Sequence, residues 1–228
     1  MIEGIDVSHW QAKISYEKLA ESGRRFVFAK AGELVNAATE NPKEFNDDMY
    51  TRNIREAKEN GILCGAYYYF HPFNSGRQAK HFLRLLESAP PDFPPVIDVE
   101  AKDGVDPKHI ADCLKAMINH MVSVKKYTDI IIYSRWGFLV NEVGEPDWLK
   151  GFDHVLPDGE VIHVNVWLWL AQYNVELKNQ PKDKTHTLAW QYTDKLRIPG
   201  IGVDLDGNKW LLSEELMLRL AGKGTEPT

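Results

Sequence analysis

The 228-residue chain has two cysteines, Cys64 and Cys113, too few for a disulfide framework or a thiolate metal site. Both fall in apolar patterns, one on a β-like run and one on a helical stripe, and read as buried thiols. The eight histidines include no His-x-x-x-His pair, so histidine metal ligation is not expected. No apolar run approaches the ~18 residues needed to span a bilayer. Met1 to Asp6 has neither a basic nor an apolar signal-peptide region. The expectation is synthesis in the cytoplasm and action on its target after release, or secretion if a leader has been removed. Basic residues number 27 against 33 acidic, a net charge of −6. That deficit argues against a nucleic-acid binder, which should carry a basic face. There is no internal repeat and no low-complexity linker. The polar segment 221–228 reads as a tail after one domain spanning 1–220.

Hydrophobic residues make up 43% of the chain, enough for a normal core. Strand-like runs are expected at 2–8, 26–31, 62–70, 96–100, 129–134, 164–173, 187–192 and 202–206. Helical patterns are expected at 16–22, 45–60, 75–88, 106–126 and from Ser213 onward. Asp106-Pro107 has the N-cap and first-turn signature of a helix start. Residues 34–44 read as a polar loop and 141–163 as irregular. Strands alternating with helices over the first 135 residues call for a parallel sheet. Eight strands in one domain suggest an α/β fold, an irregular TIM-barrel-like (β/α) barrel with few helices between its last strands.

The segment Val96-Ile97-Asp98-Val99-Glu100 carries the sharpest chemical signal. On a strand, residues i and i+2 share a face, so Asp98 and Glu100 should project together. In a parallel barrel, function sits at the C-terminal ends of the strands. Asp6, Glu33, Tyr133, Trp169, Tyr173, Trp190, Tyr192 and Asp204 also occupy such ends. Acids among aromatics suit a polysaccharide groove: rings stack on sugars, and carboxylates supply protons and charge. Glycosidic cleavage needs an acid for the leaving oxygen and a partner for the developing cation. Glu100, crowded by Asp98, suits the acid, since a neighbouring negative charge holds its proton. Glu33 has a competing reading as a partner of Lys30 or Arg24, and a lone Asp6 is equally a turn former. The aromatics are equally candidates for the core.

Seven segments occur in one order along nearly the whole chain. They are Gly4-Ile5-Asp6-Val7-Ser8-His9-Trp10-Gln11, Phe28-Ala29-Lys30-Ala31-Gly32-Glu33, Gly65-Ala66-Tyr67-Tyr68-Tyr69-Phe70, Val96 to Glu100, Trp169-Leu170-Ala171-Gln172-Tyr173, Trp190-Gln191-Tyr192 and Val203 to Asn208. In these the chain resembles the family 25 glycoside hydrolases, the lysozymes or N-acetylmuramidases that include phage endolysins. The resemblance implies an irregular β/α barrel. It implies Glu100 as general acid with Asp98 as close partner, and Asp6 and Asp204 as the remaining acids. Tyr67, Trp169, Tyr173 and Trp190 would line the groove. The implied substrate is the β-1,4 bond between N-acetylmuramic acid and N-acetylglucosamine in bacterial peptidoglycan. No metal or organic cofactor is implied, and a monomer is expected. Gly32 stands where a Thr is usual and Tyr68 where a His is common; neither change removes a carboxylate. The enlarged loop 141–163, with Trp148 and Phe152, reads either as a wall at one end of the groove or, the favoured reading, as a solvated insertion. Two rivals carry the same residues: a peptidoglycan-binding module without catalysis, and a metal-assisted phosphodiesterase on a barrel.

Overall fold

The computed structural model describes residues 1–11, 14–173 and 186–224. Eight strands close into a ring. In chain order they are β1 (Ile2–Val7), β2 (Phe26–Val35), β4 (Leu63–Tyr69), β5 (Val96–Asp98), β6 (Asp129–Arg135), β8 (Val161–Ala171), β9 (Thr187–Leu196) and β10 (Leu205–Trp210). Neighbours from β1 through β9 pair in parallel. β10 runs the other way and pairs antiparallel with both β9 and β1, which completes the barrel. Two short strands lie off the ring: β3 (Lys43–Asn46) on β2, and β7 (Phe152–Val155) on β8.

Helices α1 (Tyr16–Glu21), α2 (Tyr50–Glu59), α3 (Ser75–Ser88) and α4 (Pro107–Lys125) cover the outside between successive early strands. A short helical turn, α5 (Trp136–Phe138), follows β6 directly. No helix joins β9 to β10, in line with the few helices expected among the last strands. Asp106 caps α4 as expected, accepting from the His109 N–H at 2.9 Å, with Pro107 in the first turn. None of the described helices is long and apolar enough to cross a membrane.

Strand alternation sorts the core into two compartments. Ile5, Val7, Val27, Ala29, Ile97, Val99, Ile130 and Ile132 face the helices. Phe26, Phe28, Val96, Ile131, Tyr133 and Trp169 fill the barrel interior. Helix α6 (Glu214–Leu220) closes the lower end, where Met217 and Leu220 join Phe93 and Trp210. The interior is a packed column of rings: Phe28 stacks on Trp169 at 4.6 Å and Phe93 on Trp210 at 5.6 Å. Two glycines make room for it. A Cβ on Gly65 would strike the Phe28 ring, and one on Gly4 would lie 2.5 Å from the Phe26 carbonyl oxygen.

Four expectations are corrected. The segment expected to be helical from Phe45 begins instead with β3; α2 starts only at Tyr50, after Asp47 Oδ1 accepts from the Met49 N–H at 3.0 Å. The last strand is not 202–206 but Leu205–Trp210, and it is antiparallel. The segment 141–163 is mostly exposed, as a solvated insertion would be, but it is ordered into regular elements and anchored by buried Val143, Leu149, Leu156 and Ile162. It contains a π turn (Leu139–Val143), a 3₁₀ turn (Asp147–Lys150) and the β7–β8 hairpin. Trp148 and Phe152 pack on the outer core, with the Lys115 ammonium over the Phe152 ring. Desolvation brings that lysine down to about 7. Cys64 is buried, whereas Cys113 is only partly so.

Gly4→Ala should destabilise the barrel by about 1–3 kcal/mol, because the added methyl overpacks a site bounded by backbone as well as by a ring. Urea denaturation with an unchanged m-value is the check.

Candidate active site

Alternation carries Val96, Asp98 and Glu100 to the inner face of β5 and its extension, while Ile97 and Val99 point to the helices. Asp98 and Glu100 therefore emerge together at the upper rim. Asp6 reaches the same rim from β1. The antiparallel register sets Asp206 directly opposite Asp6 on β10. All four carboxylates line one open cleft of about 260 Å³, with Tyr67, Tyr133 and Tyr173 among them. A larger cavity, about 610 Å³, lies at the opposite end of the barrel, around Pro94, Pro95 and Arg219.

Below the rim, Asp6 is held by a network that fixes its geometry. Its Oδ2 accepts from Asn208 Nδ2 at 2.7 Å and from Gln191 Nε2 at 2.8 Å. Both amides are oriented from behind. Asn208 Oδ1 accepts from the Trp169 indole N–H at 2.7 Å. Gln191 Oε1 accepts from the Tyr133 and Tyr173 hydroxyls at 2.8 and 2.6 Å. With their oxygens committed to N–H and O–H donors, the amides turn their NH₂ groups to Asp6.

The cluster is poor in compensating positive charge. Burial, then the charge of Asp206, pushes Asp6 well above the usual carboxylate range. Burial, then Glu100, does the same to Asp98. Asp98 Oδ1 has no hydrogen-bond partner among the described residues. Burial raises Glu100 despite Arg135, whose Nε lies 3.6 Å from its Oε1. Asp206 is pushed up to about 6 by burial and then by Asp194 and Glu100. Glu100 is the more accessible of the central pair, with a side chain 29% exposed, whereas Asp98 is 5% exposed.

The expected site residues do not all gather here. Asp204 precedes β10 and sits outside the cleft, ion-paired with Arg197. Asp206, two residues later and in register with Asp6 on β10, stands at the rim instead. Trp169 is 1% exposed and forms the floor under Tyr133, at 4.4 Å between rings, rather than a wall. Trp190 is 4% exposed. The neighbours Ala189 and Gln191 point inward, so Trp190 faces out, bonded to the Gln172 carbonyl beneath the Lys209 ammonium. Glu33 is not among the cleft-lining residues. It accepts from Lys30 at 2.9 Å, lies 3.6 Å from His71, and is held down at about 2, chiefly by His71 and then by Lys30. Sequence reasoning missed Gln191, Asn208, Asp206 and Trp10. Trp10 stands on the cleft lip, 80% exposed, with its ring 4.6 Å from His9. All four lie inside the quoted segments, but nothing local marked them.

The sequence matches the family described as Glycosyl hydrolases family 25 over residues 5–201. The chain belongs to that family. It is a glycoside hydrolase, as its segments suggested. It is 31% identical over 211 residues to the Escherichia coli K12 protein YegX, described as uncharacterized, covering 91% of this chain and 68% of that protein. It is 26% identical over 230 residues to Lysozyme M1 of Streptomyces globisporus, covering 96% and 71%. The fold is shared with the muramidase from Trichobolus zukalii at TM-score 0.75, with 20% identity and 99% and 100% of the two chains covered. It is shared also with the bacterial lysozyme from Streptomyces coelicolor at TM-score 0.74, with 21% identity and 98% and 96% covered.

The raised acids cost the fold stability. A carboxyl whose pKa is higher folded than unfolded contributes fully below its unfolded value and loses that contribution as pH rises through the folded one. Asp98→Asn should therefore raise the melting temperature at pH 7, and the gain should shrink as pH falls below the unfolded carboxyl's value of 3.8, where the wild-type side chain becomes neutral in both states. Calorimetry across that range decides it; equal melting temperatures at pH 7 would mean that Lys30 already compensates the charge.

Proposed function

We propose that this chain is a lysozyme, hydrolysing the β-1,4 bond between N-acetylmuramic acid and N-acetylglucosamine in peptidoglycan, with Glu100 as the general acid. The observation that carries the reading is the convergence of Asp6, Asp98, Glu100 and Asp206 on one open rim. Family membership and the relatives named lysozyme supply the reaction class and the substrate.

Glu100 has the properties of the acid: raised by burial so that it retains a proton, yet reachable from the cleft. It donates that proton to the bridging oxygen. Asp98 is suited to the partner role. Its buried Oδ1, with no bond to the described residues, is placed to accept the N–H of the substrate's acetamido group. Oriented in this way, the acetamido oxygen attacks the anomeric carbon as the leaving sugar departs. Glu100, now a carboxylate, takes a proton from the water that reopens the ring. Two displacements at one carbon give net retention. Asp6, fixed by Gln191 and Asn208, shapes the rim, and Asp206, raised only to about 6, supplies negative charge facing the cationic transition state.

Glu100→Gln should fold normally and lose activity on purified cell walls by about 10²–10⁴-fold. Asp206→Asn should also lose most activity, whereas Asp204→Asn should stay within about twofold of wild type, since its partner Arg197 lies off the cleft. Turbidity loss of wall suspensions, with melting curves for each variant, checks all three. Mass analysis of the fragments tests the bond: reducing-end muramic acid supports this reading, and reducing-end glucosamine overturns it. NMR of the first-formed anomer tests the route, and purely inverted product would exclude the acetamido nucleophile.

A further inference from the structure

The cleft continues past Glu100 into a second arm of about 230 Å³, which adds Arg135, Trp136 and Gly137 to the shared Glu100, Tyr133 and Tyr173. The two arms differ in charge. The first holds Asp6, Asp98 and Asp206 and no lysine or arginine among its lining residues. The second holds Arg135. A carboxylate entering the first arm would meet four acids and no cation; one entering the second would meet a guanidinium, with the shared Glu100 the one acid among its lining residues.

Arg135 is available for such a ligand. Its side chain is 65% exposed, and its closest carboxylate, Glu100, is at 3.6 Å, beyond hydrogen-bond length. Among the described residues it donates no hydrogen bond. The other cation near the acids, Lys30, is already spoken for: it is 12% exposed and bonded to Glu33 at 2.9 Å. A guanidinium is planar and presents paired N–H groups that match a carboxylate in a two-point grip. The Trp136 ring lines the same arm beside it and offers an apolar surface to the group that bears the carboxylate.

We infer that the arm containing Arg135 is the subsite for a carboxylate-bearing part of the wall substrate, and that Arg135 sets the preference for anionic over neutral glycan. This rests on the lysozyme reading above. Two parts of the polymer offer the chemistry. Where a stem peptide is attached, the lactyl carboxyl is consumed in an amide, and the free carboxylates belong to the peptide. Where the stem is absent, the lactyl group carries the charge itself.

Binding should be measured in a Glu100→Gln background, which stops turnover and removes the charged partner of Arg135 among the described residues, so that the effect of Arg135 is read through the ligand. Glu100→Gln and Glu100→Gln/Arg135→Gln are titrated calorimetrically with three soluble glycan fragments: stem-bearing, stem-stripped with a free lactyl carboxylate, and stem-bearing with its carboxylates amidated. Arg135→Gln should weaken at least one of the two anionic fragments about tenfold or more, and the amidated fragment less than twofold. Loss confined to the stem-bearing fragment assigns the arm to peptide carboxylates; loss confined to the stripped fragment assigns it to the lactyl group. Arg135→Lys should recover part of the lost affinity. Equal weakening of all three fragments, or of none, overturns the inference and leaves the lysozyme reading intact. Failure of the wild-type enzyme to release reducing-end muramic acid overturns that reading instead.

Discussion

The pairing of β1 with a strand of opposite direction is the constraint on which this structure depends. It closes the ring, since β1 is bound by β2 on one side and β10 on the other. It also brings the N-terminal end of β10, rather than its C-terminal end, to the functional rim. Asp6 then faces Asp206, and Asn208, one step down the same inner face, reaches Asp6 Oδ2. Had the last strand run parallel, the acid at the rim would have come from its other end, and the amide that steadies Asp6 would be elsewhere.

Bringing four acids to one desolvated rim is unfavourable, and the surroundings moderate that penalty without abolishing it. Two amides donate to Asp6, Arg135 stands off Glu100, and Lys30 lowers the burden on Asp98. None of these is a tight ion pair, which would lock the carboxylates as anions. The opposite arrangement appears just off the cleft, where Glu33 is held ionised by His71 and Lys30. The same residue type thus has two fates in one barrel, decided by whether a cation is within bonding reach. The aromatic column below the rim supplies the rigidity. Trp169 is at once a core ring stacked on Phe28 and the donor that orients Asn208, so packing and electrostatics meet in one side chain.

What the sequence revealed follows from what is local. Period-two alternation is a property of any strand, so the shared face of Asp98 and Glu100 was legible, as were the eight-strand ring and the sparse helices late in the chain. Strand register is not local. Nothing in Val203 to Trp210 states where the strand begins or how it registers on β1, and the choice between Asp204 and Asp206 turns on that: Asp204 precedes β10, and Asp206 is the residue set against Asp6. Trp169 and Trp190 show the complementary problem. Neither tryptophan reports its depth or its side of the sheet, and one became a floor while the other turned outward. Phe45 and Asp47 resemble the start of a helix because apolar spacing does not register a two-stranded flap ending in a turn held by Asp47. The supporting amides were invisible for a further reason: Gln191 and Asn208 are unremarkable polar residues until the donors behind them are placed.

The register that sets Ile2 against Trp210 has a practical consequence. Both residues lie at the base of the barrel, on the side α6 closes and away from the carboxylates. A tether attached near Ile2 or beyond α6 would therefore leave from the face that never meets the glycan. The enzyme could be anchored to a bead or a film there with its working mouth still turned toward a bacterial surface.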